Sequence, residues 1–162
     1  MKVLAIDPGI AYIGLCLLDA EGQWLKAETI RLGQKMDPEE RIEKLREELL
    51  NFLKDISQYD VTRSELHVVI EGFAMYGLKG SVVNAFHMGR VVQCIIDILA
   101  SGSITIAGVV PARSVRKYIT GNPSAKSTQI KAGLKLMGYE GGNDHTRDAL
   151  ALALYWKEHR GD

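Results

Sequence analysis

The chain has 162 residues, 46% of them hydrophobic and 25% charged. This is the size and composition of one folded domain, read here as residues 1–162, and it excludes disorder over any long stretch. No uninterrupted apolar run reaches the roughly 18–20 residues of a membrane helix. The run before Asp7 is too short for a secretory signal. No membrane partner and a cytoplasmic location are therefore expected. The two cysteines, Cys16 and Cys94, sit in apolar surroundings and read as buried free thiols.

Formal net charge is zero, but the charge is unevenly spread. Residues 1–81 hold 10 Lys and Arg against 14 Asp and Glu, whereas residues 82–162 hold 10 against 6. Between residues 111 and 135 there are six basic residues and no acid. A basic stripe of this kind can hold a phosphate backbone while the rest of the surface stays acidic, and it can equally be a solvated helix face.

In chain order, residues 3–7 (VLAID) read as a short strand running into Asp-Pro-Gly, a turn signal. Residues 12–18 and 23–30 read as two more strands, joined by a hairpin turn at Asp19-Ala20-Glu21-Gly22. Asp37-Pro38-Glu39-Glu40 opens a helix, with Asp37 as cap, Pro38 in first position and Glu40 completing a capping box. Ile42, Leu45, Leu49, Leu53 and Ile56 recur at helical spacing to about residue 57. Residues 67–71 (HVVIE) form a buried strand ending in a carboxylate, 81–101 a long apolar helix and 104–110 another strand. Helices near 112–119, 125–137 and 144–158 follow. A three-stranded meander followed by strand–helix–strand crossovers predicts an α/β fold, with a mixed five-stranded sheet covered by helices on both faces.

Acids occur where chemistry could use them. Asp7 and Glu71 each end a strand, and strand ends face the crevice where ligands bind in open α/β sheets. The last helix opens with Asn143-Asp144-His145-Thr146-Arg147-Asp148. His145 and Asp148 are three apart and share a face. Asp148 precedes the apolar run 149–154, where a charge needs a partner. Asp144 reads as the helix N-cap, and Arg147 as the partner of a neighbouring acid. A cluster of acids repels itself unless a cation intervenes, and oxygen donors favour Mg²⁺ or Mn²⁺.

Taken together these pieces resemble the RuvC family of Holliday junction resolvases, within the RNase H-like superfamily. The matching elements are Ala5-Ile6-Asp7-Pro8-Gly9 with Gly14, Val69-Ile70-Glu71, Pro111 to Lys117 with Thr120-Gly121, Ser124 to Ser127, and His145-Thr146-Arg147-Asp148-Ala149-Leu150-Ala151. They occur in family order over nearly the whole chain. The resemblance implies a crossover junction endodeoxyribonuclease that cuts branched DNA, with the catalytic and metal-binding set Asp7, Glu71, His145 and Asp148. Two Mg²⁺ ions would be the cofactor, with Mn²⁺ as a substitute. Many members carry aspartate where His145 stands, which leaves the adjacent Asp144 as an alternative. The resemblance further implies DNA contacts from Arg113, Arg116, Lys117 and Lys126. It also implies a homodimer, for which the helix at 81–101 is the expected interface, and work alongside branch-migration or recombination proteins. The family places an aromatic residue soon after the glutamate to stack on the junction. Here Phe73 and Tyr76 are available in a longer loop, displaced from that place.

Three other readings compete. One is a relative that cuts RNA or RNA–DNA hybrids; another is a non-catalytic DNA-binding subunit of a recombination complex. The third, half of an actin-like sugar kinase, is disfavoured by the short chain and by the lack of a glycine-rich phosphate loop.

Overall fold

A computed structural model describes residues 1–33, 35–62, 65–72 and 82–159. Five strands form one sheet: β1 (Lys2–Asp7), β2 (Tyr12–Leu18), β3 (Trp24–Arg31), β4 (Leu66–Gly72) and β5 (Ile106–Pro111). Their spatial order is β3-β2-β1-β4-β5. The first three pair antiparallel, as a meander must, and β4 and β5 run parallel to β1. The hairpin between β2 and β3 closes where the sequence placed it. Asp19 Oδ1 accepts from the Gln23 amide at 2.7 Å, and Gly22 takes φ +91°, a conformation that glycine adopts freely.

The helices are α1 (Pro38–Ile56), α2 (Val82–Ser101), α3 (Ala112–Thr120), α4 (Ser127–Leu136) and α5 (Asp144–His159). Asp37 caps α1 by accepting from the Glu39 amide at 2.9 Å, where the expected capping box would use the amide of Glu40. Alternation along the strands divides the core in two. Leu4, Ile6, Ile13, Leu15 and Leu17 join Leu45, Leu49, Phe52, Val91 and Ile95 on the α1–α2 face. Val3, Ala5, Cys16 and Leu18 join Val115, Ile130 and the apolar run of α5 on the other. Helices therefore cover both faces, as the sequence predicts. The two thiols are buried and free, and they lie on opposite faces of the sheet.

The expectation that no stretch reaches membrane length needs correction for α2, whose 20 residues meet that length with a high mean hydropathy. Counting unbroken apolar runs missed it because Asn84, His87, Arg90, Gln93 and Asp97 punctuate it. Arg90 pairs with Glu39 of α1 at 2.7 Å, and Val91, Ile95 and Leu99 pack into the core. The rest of its apolar surface points away. Val82, Val83 and Phe86 are exposed, and Val92 and Ile96 are half-buried.

Candidate active site

The register of the sheet brings the first two acids together. β1 and β4 are parallel neighbours with Ile6 opposite Ile70, so Asp7 and Glu71 lie side by side one residue further on. Strand parity decides which face they occupy. Val3 and Ala5 belong to the α5 face, as does Val69, so Asp7 and Glu71 point to that face too. Both are only partly covered.

Helix α5 brings the third acid. Its approach is permitted by Gly14, the β2 partner of Asp7. A Cβ at Gly14 would stand 2.6 Å from the His145 carbonyl carbon and closer still to its oxygen. The first turn of α5 is tied down from both sides. Asn143 Oδ1 accepts from the Thr146 amide at 3.0 Å, and Thr146 Oγ1 accepts from the Asn143 amide at 2.9 Å. Thr29 Oγ1 of β3 donates to the same Asn143 Oδ1 at 3.0 Å. Asn143 is thus the N-cap, correcting the expectation that Asp144 is. Asp144 is exposed and pairs with Arg147, as the sequence suggested for that arginine.

Three carboxylates and one guanidinium act on one another electrostatically. Burial raises Asp7 well above the usual carboxylate range, and repulsion from Glu71, a hydrogen bond with Glu71 and repulsion from Asp148 add to this. Glu71 is also raised, mainly by burial, with the Asp7 hydrogen bond and Arg116 opposing. Asp148 is pushed up to about 6, first by burial and then by Glu71. Arg116 opposes the shift in all three. With Glu71, Asp148 and Val115 it lines a narrow cleft between α3, α4 and α5. The residue expected to reach for phosphate thus stands among the acids.

His145, the fourth member of the expected set, lines a separate hollow at the start of α5 that none of the three acids lines. Its ring stacks on Tyr12, with centroids 4.7 Å apart and planes 13° from parallel. Burial lowers its pKa, with Asp144 opposing and Arg31 reinforcing, which favours the neutral imidazole. Tyr12, Thr29, Arg31, Asn143, Asp144, His145 and Arg147 line an open polar hollow of about 420 Å³. Sequence reasoning missed Tyr12 and Arg31. The available signal was parity, because Tyr12 is two residues before Gly14 and shares its face.

Of the other expected DNA contacts, Arg113, Lys117 and Lys126 are exposed on α3 and just before α4. Phe73 and Tyr76 lie outside the described residues. The donor set suits a hard divalent cation, being carboxylate oxygen and imidazole without thiolate. Among the described residues no three His, Cys, Asp or Glu side chains converge at ligating spacing.

No protein-family model matches the chain, and no curated protein does. Solved structures are similar over almost its full length. Thermus thermophilus RuvC in complex with Holliday junction substrate superposes with a TM-score of 0.73 at 19% identity, covering 96% of this chain and 92% of that one. A second Thermus thermophilus RuvC structure gives 0.73 at 19% identity, covering 98% and 96%. The yeast mitochondrial Holliday junction resolvase gives 0.61 at 11% identity, covering 96% and 77%. The expected architecture is borne out: this chain has the RNase H-like fold of the RuvC Holliday junction resolvases.

Proposed function

We propose that the protein is a divalent-metal-dependent endonuclease that hydrolyses phosphodiesters in branched DNA, with a four-way junction as preferred substrate. The observation that carries this reading is that Asp7, Glu71 and Asp148 lie near enough at one end of the sheet to repel one another, while Arg113, Lys117 and Lys126 are exposed on α3 and just before α4. Carboxylates this close repel one another in an empty site, and that cost is intelligible if a cation binds among them.

Asp7, Glu71 and Asp148 would hold Mg²⁺, in two ions with Mn²⁺ as substitute, and His145 would be a further ligand or would position the water. Bound there, the metal would supply an activated water and stabilise the leaving oxygen. The chain's own groups do the rest. Asp7 and Glu71 would have to be deprotonated to take the metal, which makes loading depend on pH. Arg116 keeps the acids tolerable to one another before loading. The neutral His145 ring offers a nitrogen lone pair rather than a repelling charge. Arg113, Lys117 and Lys126 hold backbone phosphates, and binding should weaken steeply with salt.

A junction has two strands to cut, and the outer apolar side of α2 supplies a surface for pairing two copies. Val82 and Phe86 are 87% and 63% exposed, a patch more apolar than a monomer surface needs. The work would take place in the cytoplasm alongside branch-migration or recombination proteins. Competing a four-way DNA junction against an RNA–DNA hybrid duplex in Mg²⁺ tests the substrate. Preference for the junction is expected; preference for the hybrid would move the protein to the RNA-cutting reading.

A further inference from the structure

We infer that Tyr12 is a positioning residue for His145, fixing the plane of the imidazole at the first turn of α5. The inference rests on the proposed nuclease reading, in which His145 takes part. It is carried by three contacts that meet at the first turn of α5. The His145 carbonyl sits against Gly14, where no Cβ could be accommodated. Thr29 holds the Asn143 cap from β3 at 3.0 Å. With the backbone fixed by these two contacts, the side chain keeps its own torsions, and the Tyr12 stack restrains them at 4.7 Å and 13°.

The location of Tyr12 argues that the ring is there for this contact. It is the first residue of β2, opposite Arg31 of β3, on the rim of an open hollow and 36% exposed. It belongs to neither apolar core. Strand stability at such a site would be met by many β-forming side chains. A flat ring parallel to an imidazole is a narrower requirement. Partners that orient a ligating or water-holding histidine act through it rather than on the substrate.

The test compares full-length wild type with Tyr12→Leu, Tyr12→Phe and His145→Ala. Two readouts are used: junction cleavage in Mg²⁺, and the His145 ring resonances by NMR without metal, assigned by their loss in His145→Ala. Tyr12→Leu should lower kcat by about 10- to 100-fold, with KM and melting temperature near wild type. It should also shift the His145 resonances through loss of the neighbouring ring current. Tyr12→Phe should restore both. Wild-type kcat and unmoved resonances in Tyr12→Leu would overturn the inference, and so would a Tyr12→Phe variant as impaired as Tyr12→Leu. The two readings fail differently. Full activity in His145→Ala would remove His145 from the site and the role of Tyr12 with it. An inactive His145→Ala beside a fully active Tyr12→Leu would defeat the positioning role alone.

Discussion

The two faces of the sheet are built to different ends. The α1–α2 face is filled with large branched and aromatic side chains, among them Leu4, Ile6, Leu15, Leu45, Leu49 and Phe52, all 0–1% exposed. The α5 face interleaves large side chains such as Leu18, Ile130, Leu150 and Leu152 with small ones: Ala5, Ala149, Ala151 and Ala153 are buried there. Gly14 and Gly108 leave room for the His145 backbone and the Trp156 ring. Bulk on the first face removes apolar area from water and stabilises the fold. Smallness on the second lets α5 lie close to the strands, and closeness brings Asp148 to Asp7 and Glu71. Both faces bury an apolar core, and the second also holds the acids.

That contrast can be broken most severely at the acids themselves. Glu71→Gln should lower Mg²⁺-dependent junction cleavage by about 10²–10³-fold, the scale of losing one charge-stabilising group, while leaving the metal-free melting temperature unchanged or higher. On the opposite face, Phe52→Ala should behave in the reverse sense. It should lose about 3–5 kcal/mol of stability, measured by urea unfolding, with activity per folded molecule retained. Gly14→Ala should damage both properties at once. The added methyl has to displace the first turn of α5, at about 1–3 kcal/mol or more, and unfolding and cleavage should change together.

A pH titration sharpens the same comparison. The Asp148 carboxyl stands at about 6 in the folded protein against an ordinary 3.8. A raised folded value favours the native state fully below about pH 3.8, and the benefit is lost as pH rises through about 6. Metal-free wild type should therefore lose on the order of 2–3 kcal/mol of stability between pH 4 and 7 relative to Asp148→Asn. Parallel pH curves for the two proteins would show that Asp148 is not held among like charges. Added Mg²⁺ at pH 7.5 should restore stability to wild type by mass action.

Much of this was legible in the sequence because the physics is local. The short apolar runs that end at Asp7 and Glu71, and the helical spacing from Ile42 to Ile56, each specify an element without help from elsewhere. Pairing of Asp7 with Glu71 follows from the parallel register of β1 and β4. The rest required three dimensions. Asn143 and Asp144 are both good cap residues, and only the contact from Thr29, 114 residues away, selects Asn143. Arg116 belonged to a basic stretch that suggested phosphate, yet the turn of α3 points it into the acids. The alternation of α2 between core and surface depends on where α1 and the sheet lie, so spacing alone could not separate Val91 from Val92.

The most direct measurement is cleavage of an end-labelled four-way DNA junction beside linear duplex of the same sequence, in Mg²⁺ and in EDTA, by wild type and Asp7→Asn. The account predicts metal-dependent nicks confined to the junction for wild type, and none for Asp7→Asn. Undiminished cutting by Asp7→Asn, or junction binding without cleavage in any divalent metal, would contradict it.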